Sequence, residues 1–304
     1  MRLSVLICCN WLFLIGSLCA QSPGSSAIFN DLRYLSSDDV EGRKSGTIGN
    51  KVAREYIVKR FEEIGLKSFE GGYVREFAIP ESKKIDGNKG YNIIGYLEGN
   101  SDKAIVISAH YDHLGIKGDQ IYNGSDDNAS GVAAILYMAD QMKNRKLEHT
   151  IIFSALDAEE SGLLGGYAFV KNPPVDIDLI EFNINLDMVS KNDKGELYAC
   201  GTYHYPNLKP FINSVKTGYP IKIRLGHDRP GQGHDDWTNS SDHAAFHKAG
   251  IPFLYFGVED HPDYHKLSDT YDRTNFEFFQ KVAATLTDIV IKLDLEDLSK
   301  FAKN

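Results

Sequence analysis

Along most of the chain, short continuous apolar runs alternate with stretches in which apolar residues return every three or four positions. Ile28, Leu32 and Leu35 share one helical face and predict a short helix over Ala27–Leu35. Ala53, Tyr56, Ile57, Phe61 and Ile64 predict a second over Lys51–Ile64, with Gly65 as its stop. Strand-like runs follow at Tyr73–Ile79 and Tyr91–Leu97. AIVISA (Ala104–Ala109), IIFSAL (Ile151–Leu156), FNINLDM (Phe182–Met188) and IPFLYF (Ile251–Phe256) read as strands, and Leu197–Cys200 as a short one. AIVISA is apolar as expected of a strand covered on both faces. Helical spacing fills the intervals at Val132–Met142, through Ala168, at Leu208–Thr217 and at Asp242–Lys248. An unbroken stripe (Phe279, Val282, Ala283, Leu286, Ile289, Val290, Leu293) predicts a packed helix over Phe276–Leu293. Strands alternating with helices predict an α/β sandwich around a mixed, largely parallel sheet. No repeat, low-complexity tract or linker interrupts it, so residues 26–304 are expected to form one catalytic domain.

The first twenty residues stand apart from this pattern. Arg2 precedes the apolar run LSVLICCNWLFLIGSL, and Cys19-Ala20 leads into polar QSPGSS, the layout of a secretory signal peptide over residues 1–20. The run is short for a spanning helix, and bulky Leu18 disfavours a lipid-anchored Cys19. The chain is therefore expected to be exported, periplasmic or secreted. Three of the four cysteines lie in the leader, which leaves Cys200 alone in the mature chain and excludes an internal disulfide. A net charge of −9 argues against a nucleic-acid surface. Part of that acidity is what metal ligands would contribute.

The chemistry concentrates between Ser108 and Gly131, SAHYDHLGIKGDQIYNGSDDNASG, where His110 and Asp112 follow a strand and Asp126, Asp127 and Asn128 precede a helix. Glu159 and Glu160 follow IIFSAL, Asp187 ends NINLD, and His265 lies in YHKLSDT beyond IPFLYF. Taken singly, D-D-N fits an Asx-type turn or helix cap, and Glu159-Glu160 fits a solvated first-turn pair. Ligands of open α/β sheets, however, bind beyond the carboxyl ends of strands. Several independent elements here deliver metal-capable groups to such ends.

The ordered set AHYDHLG, NGSDDNASG, DAEESG, NLDM and YHKLSDT resembles the two-zinc exopeptidases of metallopeptidase clan MH, in particular the secreted bacterial leucyl aminopeptidases. The resemblance spans about Asp31 to Leu293 and implies a three-layer α/β/α sandwich. It also implies two Zn2+ ions with His110, Asp127, Glu160, Asp187 and His265 as ligands. Asp127 would bridge both ions, His110 and Asp187 would complete one shell, and Glu160 and His265 the other. Glu159 matches the general base, and Asp112 the carboxylate that orients the first histidine from behind. The Asp127–Asn128 bond matches one that is cis in the family. Tyr264 would either donate to the oxyanion or line the pocket.

The chemistry expected of such a set is hydrolysis by a metal-bridging hydroxide. Two cations sharing a carboxylate lower the pKa of a bridging water toward ~7, and Glu159 accepts its proton and returns it to the leaving amine. Peptides with a free N-terminus are the implied substrates. Two competing readings are a glutaminyl-cyclase-like acyltransferase and a catalytically silent binding module on the same fold. His113, His227, His234, His243, His247 and His261 crowd the same regions. GHDRPGQGHDDWTNSSDH reads as a polar loop at the substrate edge, with Asp242 behind the ligands, and His149 and His204 read as structural.

Overall fold

The computed structural model describes residues 23–302 apart from residue 220; the predicted leader lies outside the described residues. The chain runs α1 (Pro23–Leu35), α2 (Ile48–Ile64), β1 (Val74–Ala78), β2 (Lys89–Leu97), β3 (Ala104–His110), β4 (Gly115–Lys117), β5 (Gln120–Tyr122) and α3 (Gly131–Met142). It continues through β6 (Thr150–Leu156), α4 (Leu164–Lys171), β7 (Ile180–Leu186), β8 (Glu196–Cys200), α5 (Leu208–Ser214), β9 (Lys222–Leu225), α6 (His243–Lys248), β10 (Phe253–Gly257) and α7 (Phe276–Asp294).

Eight strands form one sheet in the order β1-β2-β6-β3-β7-β10-β8-β9. Its centre, β6-β3-β7-β10, is parallel. The β1-β2, β2-β6 and β10-β8 pairs are antiparallel, and β8-β9 is parallel again. The sheet is therefore mixed and largely parallel, as the patterning predicts. β3 is buried at every position because both faces are covered. Ile105, Ile107 and Ala109 join a core with α1, α2, α3 and α7, while Ala104 and Val106 face Phe169 of α4 and Phe246 of α6. That alternation makes the three layers. The asparagines of NINLD are also buried: Asn183 donates to Ser108 Oγ, Ser108 donates to Asn185 Oδ1, and Asn185 donates to Ser241.

α2 begins three residues earlier than its apolar pattern, because Thr47 caps it by accepting the Asn50 N–H. Gly65 ends it in the left-handed region at φ 89°. The patterning does not predict the β4-β5 hairpin inside the long loop, or edge strand β9. Both are too short to carry a period. Among the described residues no helix is long and apolar enough to cross a membrane.

Candidate metal centre

Three central parallel strands end at one edge of the sheet, and each delivers a carboxylate or imidazole there. His110 is the last residue of β3, Asp187 follows β7 directly, and Glu159 and Glu160 lie three and four residues beyond β6. His265 arrives from the loop after β10. Asp127 comes from a tight turn, Ser125–Ser130, that runs straight into α3.

Asp127 stands between two groups. Its Oδ1 is 3.4 Å from His110 Nε2, which is itself 3.2 Å from Asp187 Oδ1. Its Oδ2 is 3.0 Å from His265 Nε2, which is 3.3 Å from Glu160 Oε1. Thus five residues expected as ligands converge, with the two oxygens of one carboxylate turned to different histidines. Metal-capable clusters are His110, Glu159 and Asp187 on one side and His113, Asp127 and Glu160 on the other. Asp127 Oδ2 is buried and no donor is aligned to make a hydrogen bond to it. An orphaned carboxylate oxygen amid imidazoles and carboxylates suits a divalent cation, and His/carboxylate donors suit zinc. The residues present fit two ions.

Each member of the D-D-N triplet has a separate task. Asn128 ties the turn to the end of β7: its Nδ2 donates to Leu186 O, and its Oδ1 accepts from Gly131 N and Met188 N. Asp126 faces the other way and accepts from Ser190 and His261. The Asp127–Asn128 bond is cis, in line with the family resemblance. Asp269 receives the main-chain N–H groups of both Asp126 and Asp127, joining the turn to the segment that carries His265.

Asp112 lies against His110 with both its main chain and its carboxylate. His110 Nδ1 lies 3.1 Å from the Asp112 main-chain carbonyl, whereas the nearest Asp112 carboxylate oxygen is 3.7 Å away. The carboxylate accepts the N–H groups of Glu159 at 3.0 Å and Glu160 at 3.3 Å. It therefore also fixes the main chain of the glutamate pair, while its peptide carbonyl makes the closer contact to the histidine. The reason is the turn after β6: Ala158 and Leu163 are left-handed, which brings consecutive amides toward Asp112.

Electrostatics follow burial. Burial pushes Glu159 well above the usual carboxylate range, opposed by His110 and reinforced by Asp187. Burial also works to raise Glu160, but hydrogen bonds from His113 and His265 hold it well below that range. Burial works to lower His265, and Asp127 and Glu160 outweigh it, raising it to about 10. Asp242, enclosed beside Gly166, is raised by burial to about 7. The two carboxyls of the adjacent glutamates are thus driven in opposite directions, the pattern of sites that need a proton carrier beside a permanent anion.

The centre opens into a cavity of about 420 Å3 whose walls include Met188, His234, Trp237, Ser240, Tyr255, Val258, Asp260 and Tyr264. His234, Trp237 and Ser240 belong to the His-rich loop, which lies at this edge as expected. His227 stacks on Trp237 at 3.7 Å between centroids and steadies that loop. Tyr264 stacks on His265 at 4.0 Å. A larger groove of about 820 Å3 beside β1 has no histidine in its walls. Sequence patterning names His113 and Asp126 without giving either a role, and misses Asp157, Asp269 and Arg43. For Asp157 a signal exists, since it directly follows an apolar strand; buried, it accepts from Ser45, Asn50 and Tyr91.

Comparison with known proteins gives the chain a family and its fold several relatives. The profile of peptidase family M28 matches residues 92–290. Aminopeptidase YwaD of Bacillus subtilis is 27% identical over 289 residues, covering 89% of this chain and 58% of the relative. The chain thus spans little more than half the length of that relative. A zinc aminopeptidase from Bacillus subtilis, BSAP, has the same fold with a TM-score of 0.71 at 18% identity, covering 91% of this chain and 98% of the other. A glutaminyl cyclase from Bacteroides thetaiotaomicron follows at 0.69 and 20%, covering 88% and 97%. With its family profile matched over residues 92–290, well over half of its length, the chain belongs to peptidase family M28.

Proposed function

We propose that the protein is a zinc-dependent aminopeptidase that releases N-terminal residues from peptides. The observation that carries this reading is Asp127, whose two oxygens face separate histidine–carboxylate groups. His110, Asp187 and Asp127 would hold one zinc, and Glu160, His265 and Asp127 the other. When bound, the ions supply Lewis-acid polarisation of the scissile carbonyl and acidification of water.

The chain's own residues do the rest. Glu159 Oε2 lies 4.0 Å from His110 Nε2 at the mouth of the first group. Its carboxyl, raised by burial, takes the proton of the attacking water and hands it to the leaving amine nitrogen. Asp112 keeps both glutamates in register through their amides. Burial, with the Asp127 charge behind it, pushes the Tyr264 hydroxyl up, so it stays protonated as a donor to the oxyanion. Met188, Trp237, Tyr255 and Val258 offer apolar wall for a substrate side chain. Export from the cytoplasm rests on the leader sequence.

The test is hydrolysis of a panel of aminoacyl-anilides by the purified mature chain. Activity should be abolished by chelator and restored by zinc. Turnover confined to N-blocked peptides, or cyclisation of N-terminal glutamine with ammonia release, would replace the aminopeptidase reading.

A further inference from the structure

His113 lies three residues past His110 and is outside the expected ligand set, although it stands in the second metal-capable cluster and its side chain is wholly enclosed. Its Nδ1 stands 2.9 Å from Glu160 Oε1 with hydrogen-bond geometry and 3.6 Å from Asp127 Oδ2. The same Glu160 oxygen faces His265 Nε2 at 3.3 Å. Two imidazoles therefore address one carboxylate oxygen, His265 from the half-open cavity side and His113 from the interior.

The interior ring has a built seat. The His113 main-chain N–H donates to the Arg43 carbonyl at 3.4 Å and fixes the backbone that carries the ring. The ring lies over Gly124, where a β-carbon would stand 2.5 Å from Cδ2 and 2.6 Å from Cγ. Arg43 in turn donates to the Gly124 carbonyl at 2.9 Å. Gly124, left-handed at φ 55°, satisfies both the turn and the close approach of the ring.

We infer that His113 is a positioning residue that donates its Nδ1–H to Glu160 Oε1 and holds that carboxylate at the second metal position, an inference that rests on the two-metal reading above. A separation of 2.9 Å is that of a direct N–H···O bond. Metal-binding carboxylates depend on such support, and its loss costs about 10–100-fold in metal affinity.

The test is zinc titration of the full mature chain against a chromophoric chelator, with cobalt(II) absorption as a second readout independent of turnover. His113→Ala should bind the first ion as wild type does and the second about 10–100-fold more weakly. His113→Asn places an amide nitrogen near the Nδ1 position and should recover most of the loss. Unchanged first-ion affinity reports that each variant is folded. Equal second-ion affinity in wild type and His113→Ala overturns the inference. So does failure of His113→Asn to recover it together with an altered cobalt spectrum, which would make His113 a ligand. A wild-type chain that takes up a single zinc overturns the two-metal reading, and the inference with it, an outcome distinct from both.

Discussion

At the residue scale, Glu159 and Glu160 show how neighbours with the same side chain acquire opposite chemistry. Glu159 is raised by burial against the opposing His110, whereas Glu160 is met by two imidazoles. Glu159→Gln should keep its zinc content, because the proposed ligand set does not include it, and lose about 10²–10⁴-fold in kcat; elemental analysis beside anilide kinetics checks both. His149, read from the sequence as structural, pairs with Asp294 at the end of α7. The Asp294 hydrogen bond raises His149 above its ordinary 6.5. Burial works to raise Asp294, but hydrogen bonds from His149 hold it below its ordinary 3.8. The His149 contribution is thus complete below pH 6.5 and fades as pH rises through the raised value; the Asp294 contribution fades as pH falls through the depressed one. The stability difference between wild type and His149→Gln, followed by urea unfolding, should shrink on the alkaline side. A difference that grew with pH would exclude the pair as its source. The ligand residues themselves were legible as types at strand ends. Of their supporting residues Asp112 and Asp242 were named, but Asp157 and Asp269 were not, because they act through backbone amides of distant segments, and such partners leave no local spacing.

At the scale of elements, the polar turn between α1 and α2 carries no chemical motif, yet it organises the metal-bearing loop. Arg43 is fully buried and donates to the carbonyls of Tyr111, Asn123, Gly124 and Leu35. Burial lowers it to about 10, so it remains charged at neutral pH, among Asp127, Asp269 and Asp112. Through it the turn clamps the end of β3 to the segment just before Asp127. Gly42 allows this approach, since a β-carbon there would lie 2.3 Å from Tyr122 O. Arg43→Ala should cost roughly 3–5 kcal/mol, because several buried carbonyls each lose a charged donor worth about 1–3 kcal/mol. Chemical denaturation measures it, and Arg43→Lys should recover only part, lacking the planar fork. The long apolar elements (β3, β6, β7, β10 and α7) were predicted within a few residues of their bounds. β4, β5 and β9 were not, since strands of three or four residues hold no measurable alternation.

For the whole molecule, the sheet edge gathers Asp127, Glu159, Glu160 and Asp187 within one cluster of partly or fully buried side chains. Metal removal should therefore destabilise the fold as well as silence it. Each ion held at 1,000 times its Kd contributes about 4 kcal/mol, so chelation should lower Tm by many degrees and zinc should restore it. Calorimetry of the chelated and reloaded protein measures this; an unchanged Tm would mean that the cluster is not a metal centre.

The sequence by itself determined the fold class, the order of the major elements and the identity of the converging metal-capable residues, because hydrophobic period and strand-end position are properties of contiguous residues. Only the tertiary structure decided that Asp112 acts on the glutamate amides, that Asp127 divides its oxygens, and that Arg43 and His113 stand behind the centre. Those facts depend on which distant backbone groups are left without a partner once the sheet and its loops have closed. A hydrogen bond between segments eighty residues apart is determined by packing, which no single segment encodes.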